Sequence, residues 1–271
     1  MSTDLVALIT TPPSGRSRSV LLDGDDYAQA VLLQGRDVPT AEPMAFANHV
    51  RQVQDLLEPD AALLSLGPLY AARVATDTGL RTAMGSKSRT GFALRSLLAD
   101  AALTARAIEL VTLVTRTQHR PVVLQVPSPR MWLTTTHHFS GDANTDGLDS
   151  DDAENASMYV ADWLRNFASL PLAAVLLDDR PTQTAPTPTV VPLQVYSPVA
   201  NTTTHYRWTL AMRHTTRVEL HGSDLTGGVV PTEYWLDDGV ALPEGDFLLG
   251  EIPPTAVPEG VLKRVATIGY A

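Results

Sequence analysis

The stretch PVVLQVPSPRMWLTTTHHFSGDANTDGLDSDDAENASMYVADWLRNFASLPLAAVLLDDR, residues 121–180, decides the fold. Residues 121–126 and 173–179 are near-continuous apolar runs, as expected of strands covered on both faces. Between them Ala156, Tyr159, Val160, Trp163, Leu164 and Phe167 recur at helical spacing. Strand, long polar loop, amphipathic helix and second strand make one βαβ unit, the building block of parallel sheets. The loop leaves the carboxyl end of the first strand, where α/β folds put their ligands. It carries Ser128, Arg130, His137 and His138, and the second strand ends in Asp178, Asp179 and Arg180.

Working outward, LVALIT (5–10) reads as a first strand that stops at Pro12 and Pro13, and Asp25 to Leu33 as a short helix. Residues 42–58 form a stronger helix on Phe46, Val50, Val53 and Leu57, with His49 as an ordinary flanking residue. ALLSLGP (62–68) is the next strand. Residues 86–118 make one long buried helix or two abutting ones. On the C-terminal side VVPLQVYS, RVELHG, GVVPTEYWL and FLLGEIP are strand-like, while NTTTHYRWTLAMRH fits either a Thr-capped helix or an alternating strand. The helical reading yields eight strands and an α/β fold of (β/α)8 TIM type. The strand reading yields an α+β arrangement with a terminal hairpin sheet, and both stay open at this point. The expected organisation is a single domain over 1–271, with an acidic loop at 134–153 and a Pro/Thr-rich loop at 180–190. The latter is a surface excursion or an oligomer contact, so a homo-oligomer is admitted.

Thirty acidic against twenty basic residues give a net charge of −10, which works against a phosphate backbone and argues for no nucleic-acid partner. The chain has no cysteine, which removes disulfides, thiolate nucleophiles and Cys-ligated metal sites together. MSTDLVALITTPPSG lacks a basic n-region and a long apolar run, so the expectation is a soluble cytoplasmic protein with no membrane partner.

Several clusters carry candidate chemistry. Asp142, Asn144, Asp146 and Gly147 occupy the first, third, fifth and sixth positions of a calcium loop. Ala153 stands where the bidentate carboxylate belongs, so the competing reading is an acidic loop in which Asp151 caps the next helix with Glu154 three residues on. Adjacent His137 and His138 point differently and do not readily share an ion. Glu219 and His221, two apart on a strand, project to one face and with Glu251 could form a His/carboxylate metal site; His205 and His214 are further ligand candidates. Asp178 and Asp179 end a strand, where alternation sends one inward; a desolvated carboxyl there is suited to general acid/base work. No GxSxG, Walker or GxGxxG motif occurs.

The order PVVLQVPSPRMWL, YVADWLRNFASLPLAAVLLDDRP, VYSPVANTTTHYRW and VELHG resembles the barrel superfamily of uroporphyrinogen decarboxylases and cobalamin-independent methionine synthases. The resemblance spans residues 121–265. It implies a barrel with its site at the strand carboxyl ends, and Asp178 and Asp179 standing where the family places substrate-binding acids. The methyl-transferring members bind zinc partly through cysteines, which this chain lacks; the decarboxylase branch needs no metal or cofactor and uses a carboxylate with arginines.

The leading expectation is therefore a cofactor-free lyase, of decarboxylase or dehydratase type, acting on a small organic molecule. Asp178 or Asp179 is the expected acid/base and His137 or His138 a second proton carrier. Arg130 is the expected anion anchor, and Ser128, Arg180, Tyr196, His205 and His221 complete the binding set. The alternatives are a metal-assisted alkyl- or methyltransferase or hydrolase using His221, Glu219 and Glu251, and a non-catalytic binding or assembly protein.

Overall fold

Eight short strands close in chain order into one barrel: β1 (Ser19–Asp23), β2 (Ala61–Ser65), β3 (Val122–Pro127), β4 (Leu172–Asp178), β5 (Thr209–Arg213), β6 (Arg217–Leu220), β7 (Thr226–Val230) and β8 (Phe247–Glu251). The computed structural model describes residues 4–142, 144–182 and 190–270. Neighbouring strands pair in parallel except at β5–β6 and β6–β7, so β6 alone runs against the others. The fold is an α/β barrel of TIM type with mixed strand direction, and not the α+β alternative.

The helices are α1 (Leu5–Thr10), α2 (Asp25–Val31), α3 (Pro43–Leu57), α4 (Gly67–Thr76), α5 (Thr78–Met84), α6 (Phe92–Leu98) and α7 (Ala101–Thr117), then α8 (Pro129–His137), α9 (Ser150–Leu164), α10 (Ser197–Tyr206), α11 (Glu233–Leu236) and α12 (Pro258–Val265). Period-two alternation sorts the strand side chains. Leu21, Val123, Leu176, Ala211, Val218 and Leu249 share the barrel interior, whereas Leu64, Leu124, Val175 and Met212 pack outward in the helix-facing core. Phe247 fills the interior beside β7, which demands glycine at position 227: a Cβ there would lie 2.4 Å from the Phe247 ring.

Several sequence expectations change. LVALIT is helix α1, whose Asp4 side chain accepts a hydrogen bond from the Ala7 amide, and Leu5, Leu8 and Ile9 join the barrel-interior core. Its i, i+3, i+4 spacing buries one helical face, which a strand would split between two. VVPLQVYS holds a 3-10 turn at Leu193–Tyr196 in place of a strand. SVLLD and TLAMR supply the two missing strands, so NTTTHYRWTLAMRH contains a helix and a strand in succession. Within the expected loop after β3, residues 129–137 form a largely buried helix capped by Ser128, and α9 begins at Ser150, which narrows the acidic loop at both ends. Most of the Pro/Thr-rich loop, residues 183–189, lies outside the described residues. No helix among the described residues is long and apolar enough to cross a membrane.

Candidate functional site

The alternation that fills the barrel also decides what faces its carboxyl mouth. Asp23 of β1, Ser65 of β2, Gln125 of β3, Asp178 of β4 and Glu251 of β8 all line one chamber of about 230 Å³, joined by Asp25 and Asp26 from the first turn of α2. VLLD occurs twice, at 20–23 and 175–178, and each time its aspartate ends a strand and turns inward. Two guanidiniums bind these carboxylates together. Arg180 donates to Asp178 from Nε at 2.8 Å and from Nη2 at 2.7 Å, and its Nη1 donates to Glu251 Oε2. Arg213, 1% exposed, donates to the same Glu251 oxygen, and its Nη1 lies 3.5 Å from Asp23 Oδ2.

This environment shifts proton affinities. Burial, reinforced by the neighbouring Asp23 and Asp26 carboxylates, pushes the Asp25 carboxyl up to about 7. Burial also raises Asp23, against the pull of Arg213 and with further upward pressure from Glu251. A carboxyl with a pKa near neutrality can both hold and release a proton at working pH.

The chamber adjoins a larger cavity of about 900 Å³, and Gly67, Pro127, Asp178 and Arg180 belong to both walls. The larger cavity is lined mainly by apolar groups of α4 and α8, among them Tyr70, Ala71, Val74, Met131 and Trp132. Its wall is stiffened by an aromatic cluster in which Tyr70, Trp132 and Trp163 have ring centroids 5.3–5.7 Å apart and the Trp163 indole donates to the Tyr70 hydroxyl at 2.7 Å. His138, stacked on Phe139, stands on the same wall.

Behind the mouth, four expected site residues form a separate buried cluster. Ser128 accepts from the Met131 amide as the cap of α8 and donates to Asp179 Oδ1. Arg130 Nη2 lies 3.1 Å from that same oxygen, with Arg130 4% and Asp179 7% exposed. The Tyr196 hydroxyl is fully buried beside them, and desolvation followed by the Asp179 charge raises its pKa. Asp179 is thus paired with Ser128 and Arg130 and does not line either cavity. Arg130 pairs with Asp179 through Nη2 and lines neither cavity, while its Nε and Nη1 have no hydrogen-bond partner among the described residues.

The histidines scatter. His137 is buried on α8 without reaching either cavity wall, while His138 does. His205 is exposed near the end of α10, ahead of β5, and His221 is exposed after the reversed β6, where its amide donates to the Leu210 carbonyl. Both therefore sit towards the amino end of the parallel strands, away from the mouth. Glu219 faces His214 at 3.3 Å and Arg217 at 3.8 Å, while Glu251 is at the mouth with Arg180 and Arg213. His221, Glu219 and Glu251 do not converge, and no group of three or more His, Asp or Glu side chains among the described residues is arranged to hold a metal. In the acidic loop the Asp142 and Asn144 side chains accept from backbone amides two residues on. The capping box uses Asp149 with Asp152, in place of Asp151 with Glu154.

Asp23, Asp25, Gln125 and Arg213 are the site residues that sequence reasoning missed. For Asp23 and the neighbouring Asp25 the signal was the repeated VLLD, readable only once SVLLD is taken as a strand. Comparison with family models, with curated proteins and with solved structures finds no match to this chain.

Proposed function

We propose that this chain is a cofactor-independent lyase that transfers a proton to or from a small organic molecule seated in the carboxyl mouth of the barrel. The observation that carries the reading is Asp25, a carboxyl raised to about 7 on the wall of a chamber that opens beside a large apolar cavity. Asp25 is the proton carrier, and the like charge of the neighbouring Asp23 adds to burial in raising its proton affinity. This moves the acid/base role from Asp178, which is clamped by Arg180, and from Asp179, which faces away from the chamber. His138, which lines the larger cavity along with Asp178 and Arg180, is the second proton carrier. Arg180 and Arg213 fix the carboxylates around the reacting group, and the apolar cavity takes the unreactive part of the molecule. Kinship with the uroporphyrinogen decarboxylase and cobalamin-independent methionine synthase superfamily belongs to the same proposal. The carboxylate-and-arginine mouth is nearer its cofactor-free branch than its cysteine–zinc branch.

The test is turnover in D2O against a panel of small hydroxy acids, amino acids and amines, followed by mass spectrometry. Deuterium is expected to enter a carbon-bound position of the product or of recovered substrate. Turnover without carbon-bound deuterium removes the lyase reading.

A further inference from the structure

We infer that the polar chamber receives the ammonium head of an amine whose apolar body lies in the adjoining cavity. This rests on the lyase reading for its chemistry and names that site's substrate class. Five carboxylates, Asp23, Asp25, Asp26, Asp178 and Glu251, face the chamber against one guanidinium on its wall, Arg180. Arg180 is taken up by Asp178 and Glu251; Arg213, which pairs with Glu251 and Asp23 but whose Nε and Nη1 have no hydrogen-bond partner among the described residues, does not line the chamber, so no guanidinium on its wall is presented for an anionic ligand without breaking an ion pair. Asp25 and Asp26 have no cation within ion-pair distance among the described residues.

A second, independent observation points the same way. Gln125 is 3% exposed, it lines the chamber, and its amide oxygen finds no donor among the described residues. A buried acceptor without a donor is costly, and a ligand that brings hydrogens to it recovers that loss. An ammonium group offers three donors and a positive charge, which matches an orphaned amide oxygen set among carboxylates. A carboxylate head would add like charge to the chamber and leave Gln125 unsatisfied. The apolar walls of the cavity beyond Gly67 and Pro127 then select a hydrocarbon or aromatic body, because burying it is favourable in proportion to its area.

Three probes that share a phenylethyl body separate the possibilities on the intact protein by isothermal titration calorimetry at pH 8: 2-phenylethylammonium, 2-phenylethanol and 3-phenylpropanoate. The ammonium is expected to bind roughly 10–100-fold more tightly than the alcohol, as charge-assisted hydrogen bonds allow, with the carboxylate weakest. Gln125→Leu should weaken the ammonium by roughly 10-fold while changing the alcohol less. If that variant does not fold, Gln125→Asn, whose amide falls short of the chamber, carries the same expectation. Equal affinities for the three probes, a preference for the carboxylate, no ammonium binding, or ammonium binding untouched in a folded Gln125 variant overturns the inference. Ammonium binding with no amine turned over retains this inference and removes the lyase. Deuterium entering a carboxylate or neutral substrate without any amine binding does the reverse.

Discussion

Arg130→Met is expected to destabilise the protein by about 3–5 kcal/mol, because it strands the Asp179 carboxylate where almost no water reaches. The two side chains are 5% and 4% exposed and lie 3.1 Å apart, so neither can fall back on solvent when the other is removed. Ser128 still donates to Asp179, but one hydroxyl does not replace a guanidinium charge. For a chain of this size the loss corresponds to a melting point lower by roughly 6–20 °C. Asp179→Leu should cost a similar amount by leaving Arg130 unpaired. The double variant Arg130→Met with Asp179→Leu should recover most of the loss, since apolar replacement of a whole buried pair is often neutral. Urea unfolding of all four proteins measures this; a double variant no better than the worse single one rejects the ion pair as the cause. Ser128, Arg130 and Asp179 are on this account the frame that aims the β3 and β4 ends, one residue away from Asp178.

Asp25→Asn is expected to lower turnover by roughly 10²–10⁴-fold, the usual contribution of a general acid/base. The same substitution should stabilise the protein, and only at higher pH. Folded Asp25 keeps its proton up to about 7, whereas its ordinary value is 3.8. The folded state thus binds the proton more tightly, so the stability this group contributes is complete below about 3.8 and is lost as pH rises through about 7. The groups responsible face Asp25 from its own helix turn, Asp26, and from β1, Asp23, which is itself acted on by Glu251, Arg213 and Arg180. Asparagine imitates the neutral acid at every pH. The variant should therefore melt with wild type near pH 4 and exceed it near pH 8 by about 1–2 kcal/mol, a figure reduced for solvent screening because the Asp25 side chain is only partly buried. An Asn variant less stable than wild type at pH 8, or one that turns substrate over at the wild-type rate, excludes Asp25 as the strained proton carrier. Gain in stability with loss of activity is the signature of a functional carboxylate kept in an unfavourable place.

The βαβ unit over 121–180 was legible because it is long, periodic and bounded by two strands buried on both sides. The barrel followed from it, and the inward turn of Asp178 followed from alternation. The short elements were not legible by the same means. LVALIT and SVLLD are apolar runs of similar length, and six residues give no period with which to tell a helix that joins the barrel interior from a strand that forms its wall. Misplacing β1 hid the site, since Asp23 looks like a solvated loop acid and Asp25 like an ordinary first-turn helix acid until SVLLD is a strand. Arg213 was obscured differently, because it lies inside the segment that fits either a helix or a strand, which left its strand end undefined. Arg130 and Asp179 were noticed for their residue types, yet their burial and mutual pairing depend on α8, which Ser128 and Pro129 begin inside what reads as a polar loop.

The reversed strand β6 has a further meaning for how the molecule moves. Its outward residues Arg217 and Glu219 are polar, with Arg217 exposed and Glu219 partly so, and it runs antiparallel to both neighbours, so its outer face carries no apolar packing among the described residues. Local unfolding starts where few apolar contacts protect the backbone, so amide hydrogen exchange should be fastest among the strands at β6. Val218 pairs with Arg213, whose guanidinium holds Asp23 and Glu251, so opening of β6 is expected to loosen that hold. Exchange at β6 would thereby report on the same arginine that pairs with two carboxylates of the mouth.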